Sequence, residues 1–416
     1  MKRKRSLVLS SIFLSLLLAL TGCGGAAGGD LMAGVRPRKT GGGADWQGPG
    51  ADACAELGLE LLRRAQEAQP GEGVLASPLS VLSALTMTAG GASGETLAQL
   101  EAAMGLPADQ LREWIAAYSS GLPDNGKASL HQANSIWLRE GAVKVEKDFL
   151  QQNADYFSAD VYQKSFDGTT LEELNDWVKE NTHGMIPQIL SELKSEAMLV
   201  LLNALAFEGE WESVYDENAV REKLFTLADG TETQVDMMFS SEGYYLRDGE
   251  AAGFLKPYAG GEYAFAALLP PEGQCLSDYL AGLTGQRLRA VLAGAQKQEV
   301  LAGLPRFEAE YSARLDGLLQ EMGVTDAFDP ARADLSRMGK TEDGMPLYIS
   351  QIVHKTYLSV FEQGTKAGAA TAVVAEAGSA LPDELPQVYL DRPFLYMIVD
   401  TETYTPVFIG TMENPA

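Results

Sequence analysis

Glu362-Gln-Gly-Thr-Lys-Ala-Gly-Ala-Ala-Thr-Ala-Val-Val-Ala-Glu-Ala-Gly-Ser379 is the stretch from which the rest of this chain can be read. As a strand it alternates without interruption. Thr365, Ala367, Ala369, Thr371, Val373 and Ala375 point to one side, and Lys366, Gly368, Ala370, Ala372, Val374 and Glu376 to the other. The first side is small or β-branched and uncharged; both charges fall on the second. With no bulky side chain, the segment could enter between two existing strands without displacing a core. Yet Gly364, Gly368 and so many alanines bury little area, so nothing local holds the segment in a sheet. The pattern predicts an exposed loop in one state and a strand in another. Since alanine is the best helix former, an Ala-rich linker or helix is the competing reading of these residues alone.

Outward from this segment, the ends of the chain say where it works. Lys2 to Arg5 are basic, Leu7 to Leu20 apolar, and Leu20-Thr21-Gly22-Cys23 follows at once. That sequence resembles the bacterial lipobox, which implies removal of residues 1–22 and lipidation of Cys23. The apolar run is short for a membrane span of about 20 residues. Residues 23–50 are glycine-rich and read as a lipidated tether. The protein is therefore expected to be exported and anchored by its lipid to the bacterial cell membrane, facing outside or the periplasm.

The chain has 416 residues, 46% of them hydrophobic, and residues 51–416 read as one domain. With 32 basic and 57 acidic residues the net charge is −25, and the basic residues form no cluster beyond the signal. Nucleic acid and other polyanions are therefore poor partners, and only the lipid should touch membrane. Cys54 and Cys275 could pair or stay free. No CxxC or His/Cys cluster predicts a metal, and no cofactor is expected. Neither a nucleophile elbow, a phosphate-binding Gly-rich loop nor HExxH is present, so the chain does not read as an enzyme.

Cys54 to Gln69 has helical apolar spacing, and Ser77-Pro78 before Leu79, Val81, Leu82 and Leu85 reads as an N-cap and helix. Leu171 to Asn181 and Tyr311 to Met322 also read as amphipathic helices. Strands are predicted at Asn134–Leu138, Ala197–Phe207, Tyr263–Leu269, Glu299–Phe307, Gln351–Phe361, Val388–Leu390, Phe394–Asp400 and Val407–Thr411. Helices dominate the first half and strands the second, which makes the class α+β.

Several of these stretches carry a family pattern. They include Ser77-Pro78-Leu79-Ser80, Asn175-Asp-Trp177 leading to Thr182-His-Gly184, and Leu202-Asn203-Ala204-Leu205-Ala206-Phe207-Glu-Gly209-Glu-Trp211. Later come Leu304-Pro305-Arg306-Phe307, Ile352-Val353-His354-Lys355-Thr356, Glu362-Gln-Gly-Thr365, Asp391-Arg392-Pro393-Phe394 and Val407-Phe408-Ile409-Gly410. In order and spacing they resemble the signature segments of the serpins, over essentially all of residues 51–416. The resemblance implies three β-sheets, about eight to nine helices and an exposed reactive-centre loop at about 362–390. It also implies a suicide-substrate inhibitor of serine-type, or cysteine-type, endopeptidases. The protease cuts the loop and forms an acyl-enzyme. The freed segment then enters the largest sheet and drags the enzyme away before it can deacylate.

The resemblance assigns a hinge to Glu362, Gly364, Thr365, Ala367, Gly368, Ala369, Ala370 and Thr371, where small residues suit rapid insertion. Lys366 departs from the family's acidic residue, but it falls on the outward side. A cluster under the sheet where strands must part is assigned to Ser77, Ser80, Asn203 and His354. Independently, Asn203 interrupts an apolar strand, and a buried amide must find partners. Trp211 matches a residue near the point where the loop enters the sheet. Counting from Gly364 places the cleaved bond at Gly378-Ser379; counting back from Pro393-Phe394 lands near Pro382-Asp383. Small residues at Ala377, Gly378 and Ala380 suit an elastase- or subtilisin-like protease acting on a monomer. The competing function is a non-inhibitory surface binding protein of the same fold, which the small hinge residues disfavour.

Overall fold

The computed structural model describes residues 29–38, 46–123, 126–194, 196–342, 344–365 and 385–416. Its largest sheet is built from β1 (Ala128–Arg139), β2 (Asp160–Lys164), β3 (Leu199–Glu210), β4 (Phe307–Arg314), β5 (Gln351–Phe361) and β6 (Gly364–Thr365). They lie side by side as β4-β5-β6-β3-β1-β2, with a further direct pairing of β5 to β3. A second six-stranded sheet carries Tyr263–Leu269 and Phe394–Asp400 at its centre. A third, of four strands, contains Glu232–Glu242, Val300–Pro305 and Gln387–Tyr389. With nine α-helices among the described residues, this is the α+β architecture of three main sheets expected from the sequence, with one further two-stranded pairing of Val143–Val145 with Gly339–Thr341.

Two helices set the stage for the central sheet. Helix α1 (Pro49–Ala68) buries Cys54, Leu57, Leu61 and Leu62. Helix α2 (Pro78–Gly91) is buried on nearly every side and packs beneath the sheet. Its interior hydroxyls are satisfied within the helix: Ser83, Thr86 and Thr88 donate to the carbonyls of Leu79, Leu82 and Ala84 at 2.7–2.8 Å. Strand β3 is buried on both faces. Leu199, Leu201, Leu205 and Phe207 join the main core, while Val200, Leu202 and Ala204 join a smaller outer cluster. That outer cluster is closed by α3 (Gly168–Asn181), through Leu174 and Val178.

Two local readings change and one open question is decided. Tyr311 to Arg314 belong to β4, and the helix that follows is only Leu315–Glu321. Phe307-Glu-Ala-Glu-Tyr-Ser-Ala-Arg314 alternates in burial with a period of two, and Tyr311 sits a helical step from Leu315 only by coincidence. The predicted strand Glu299–Phe307 is two strands, Val300–Pro305 and Phe307–Arg314, in different sheets. Cys54 is buried and Cys275 exposed, and the two are not bonded to each other.

Part of the glycine-rich N-terminal stretch is also placed against the body. Leu31 N donates to Val161 O at 2.9 Å, and Gln163 N to Gly29 O at 2.7 Å. Arg38 N donates to Asp155 Oδ1 at 2.6 Å. Gly29 to Leu31 thus cover β2, the edge strand of the largest sheet, which would otherwise present open backbone groups, and Arg38 ties the segment to the helix Lys147–Tyr156. Each such bond adds about 0.5–1.5 kcal/mol. A form lacking residues 1–38 should therefore unfold at lower urea than one lacking residues 1–28. Coincident urea curves would show that the segment contributes nothing.

Candidate functional site

The site is a seam through the middle of the largest sheet. From Gln351 opposite Val200 to Tyr357 opposite Ala206, β5 and β3 pair directly and in parallel. Above that ladder they part, and β6 lies between them, antiparallel to both. Thr365 stands opposite Val360 and Gly209, and Gly364 opposite Phe361 and Glu210. Gly364 has φ +150°, and a Cβ there would collide with the carbonyl oxygen of Gly209, so only glycine fits. Thr365 is fully buried, and its hydroxyl meets that of Tyr258 at 2.7 Å. Burial pushes the Tyr258 phenol well above its usual range, so it stays neutral as a hydrogen-bond partner.

The turn before β6 is held by the segment that follows β3. Trp211 N donates to Gln363 O at 2.9 Å, its indole Nε1 to Phe361 O at 2.8 Å, and Tyr215 N to Glu362 O at 2.9 Å. Three consecutive carbonyls are thereby fixed. Glu362 forms an ion pair with Arg306, and Trp211 stacks on Tyr258 with centroids 4.4 Å apart. In the sequence Trp211 stood out only through the family resemblance, and Tyr258 not at all. Both lie far along the chain from the hinge, and an aromatic residue after a buried strand reads as ordinary core.

Halfway down the parallel ladder, the apolar inner face is interrupted. Asn134, Asn203 and His354 stand at one level on β1, β3 and β5, each opposite the next. His354 Nδ1 bonds Asn203 Oδ1 at 2.5 Å, and its Nε2 accepts from Ser77 N at 3.1 Å. Asn203 Nδ2 donates to Asn134 Oδ1 and to Ser80 O, both at 2.6 Å. Ser77 caps α2 by accepting from Ser80 N at 3.2 Å. The four residues singled out in the sequence therefore meet, together with Asn134, which it missed. Ser80 contributes its carbonyl, while its buried hydroxyl has no partner. Of the remaining hinge and cleavage residues, Ala367, Gly368, Ala369, Ala370, Thr371, Gly378 and Ser379 lie outside the described residues, as does Cys23.

The cluster is neutral for a physical reason. Burial lowers the His354 pKa from 6.5 to about 3, against a smaller opposing effect of the Asn203 bond. Protonating Nε2 would also set an N–H against the Ser77 N–H. An unfolded imidazole takes up a proton below about pH 6.5, and the folded one does not. This contribution to stability is thus fully present above about pH 6.5 and is lost as pH falls towards the folded value. It amounts to about 1.4 kcal/mol per pH unit. His354→Gln should therefore flatten the fall of the urea midpoint between about pH 6 and about pH 4. Equal slopes in both proteins would contradict the assignment.

Known proteins share this fold. A family model described as serpin (serine protease inhibitor) matches residues 52–415. Leukocyte elastase inhibitor A of Mus musculus is 31% identical, over 86% of this chain and 97% of its own. The crystal structure of tengpin, a thermophilic serpin, in its native state superposes with a TM-score of 0.87. It is 40% identical, and the match covers 92% of this chain and 99% of tengpin. The latent state of tengpin, 37% identical over 91% of this chain and all of its own, superposes less well, with a TM-score of 0.77. Matched along its whole folded body in sequence and in architecture, the chain belongs to the serpins.

Proposed function

We propose that the chain inhibits serine-type endopeptidases as a suicide substrate, by inserting its cleaved loop along the seam between β3 and β5. The observation that carries this reading is β6, which already sits between the two strands in a register that can simply be continued. One residue at a time from Thr365, that register sets Ala367 opposite Leu358 and Phe207, and Ala369 opposite Thr356 and Leu205. Val374 then reaches Gln351 and Val200, the last pair of the present ladder. Thr365, Ala367, Ala369, Thr371 and Val373 fall on the side facing α2, where small uncharged residues are needed. Lys366 falls on the outer side, opposite Glu208, a favourable cross-strand pair.

The same count brings Thr371 to the level of His354 and Asn203, on the inner face. Insertion must break the bond between those two, and the threonine hydroxyl arrives where each lost its partner. A polar cluster exchanges partners in this way without leaving a buried group unsatisfied. One parallel ladder is replaced by two antiparallel ones, which are slightly more stable per residue. Uncut, the loop cannot follow this path. One end is held at β6 and the other at Gln387–Tyr389, which pairs with Leu301–Gly303 in the third sheet. The intact form is therefore a kinetic trap.

In the first step the protease's serine oxygen attacks the Gly378 carbonyl. An ester forms, the peptide bond breaks, and Ser379 leaves as a free amine. The released segment inserts before water reaches the ester. Small residues at Ala377, Gly378 and Ala380, and the likeness to an elastase inhibitor, favour an elastase- or subtilisin-like target. Lipidation at Cys23 would hold the inhibitor at the surface of the bacterial membrane, outside the cytoplasm.

Incubation with pancreatic elastase and with subtilisin should give a complex that survives denaturing electrophoresis. Thr365→Arg would place a charge in a buried position. It should convert the protein into a substrate, cut at an unchanged rate with no complex trapped. Cleavage of the wild type without any complex would favour a non-inhibitory binding role, and trapping by the variant would exclude insertion along this seam.

A further inference from the structure

The grip on the hinge converges on one buried side chain. Lys256 is the last residue but one of the strand Ala251–Pro257 of the second sheet, and its side chain is 2% exposed. Its Nζ donates to Ser213 O at 3.0 Å and to Glu242 Oε1 at 2.8 Å. The ammonium also lies 4.2 Å from the Tyr215 ring centroid and 5.4 Å from that of Trp211. Glu242, at the end of Glu232–Glu242 in the third sheet, takes a further bond from Ser240 Oγ at 2.6 Å. Two residues on from Lys256, Tyr258 stacks on Trp211 and meets Thr365. All three sheets therefore join at this lysine, directly behind the segment Trp211–Tyr215 that holds the carbonyls of Phe361, Glu362 and Gln363.

We infer that Lys256 is a positioning residue for loop insertion: by fixing Trp211 to Tyr215 it keeps Phe361 to Thr365 in the geometry from which the new strand grows. The inference rests on the insertion reading given above. Stability alone does not account for the pair, because a buried ion pair is often no more stabilising than apolar residues of the same volume. What an ammonium supplies that an apolar residue does not is direction. It holds one carbonyl, one carboxylate and two ring faces at once, and so fixes the conformation of the intervening backbone. A loosened segment would release the hinge carbonyls. The first residues of the freed loop would then search for their register while the acyl-enzyme hydrolyses.

The test compares the wild type with Lys256→Gln/Glu242→Gln, which removes both charges together and leaves no unpaired ion, and with Lys256→Arg, which keeps the cation. Two quantities are read in each. The first is amide exchange at Trp211 and Tyr215 in the intact protein. It should be at least about tenfold faster in the double variant and near the wild-type rate in the arginine variant. The second is the number of inhibitor molecules consumed per molecule of subtilisin trapped. It should rise several-fold in the double variant, with the rate of loop cleavage unchanged. If the double variant does not fold, Tyr215→Leu takes away one ring from beside the ammonium and should move both readouts the same way. Unchanged exchange in a folded variant would overturn the inference, as would faster exchange with unchanged stoichiometry. A wild type that traps no protease would instead remove the proposed function, leaving exchange alone to decide what Lys256 holds.

Discussion

Everything in this structure answers to the parallel ladder that joins β3 to β5. It runs from Gln351 and Val200 to Tyr357 and Ala206 through the centre of the largest sheet, and two residues of β6 already wedge its upper end. A ladder of this kind is closed but replaceable. Its backbone groups are satisfied now, and a strand of opposite direction could satisfy them again on both sides. On the insertion reading proposed above, the rest of the fold determines when that exchange is allowed.

Three parts of the molecule bear on the seam in different ways. Packing keeps it closed: β3 is buried on both faces, with α2 beneath it and α3 above. Polar chemistry keeps it separable, because Asn134, Asn203 and His354 meet through hydrogen bonds that can change partners, where interlocked apolar side chains would have to be repacked. Connectivity supplies the delay. On the insertion reading, the two ends of the loop, at β6 and at Gln387–Tyr389, are each held in a sheet, and cutting the chain between them frees the strand to enter.

Much of this was legible in the sequence because it is written in short-range pattern. The alternation from Thr365 to Glu376 assigns inward and outward sides, and the side it gives Thr365 is the buried one. Asn203 announced itself as the one amide in an apolar strand. Its partner Asn134 did not, because the two are joined only by strand pairing between distant segments. Tyr258 and Lys256 were invisible for the same reason, and Trp211 stood out only through the family resemblance: each looks like ordinary core or surface until three sheets bring them together. Tyr311 was misplaced because four residues can satisfy a helical and a strand period at once, and tertiary pairing with β5 settles which prevails.

If the cleaved loop inserts as proposed, the intact protein is the less stable of two folds of one chain. The direct test is thermal: cut the loop once with a protease that is then removed, and compare melting of the cut and intact proteins. Insertion along the seam predicts that the cut protein melts far above the intact one. A cut protein that melts at or below the intact temperature would show that no strand has entered, and the seam would be only a closed sheet.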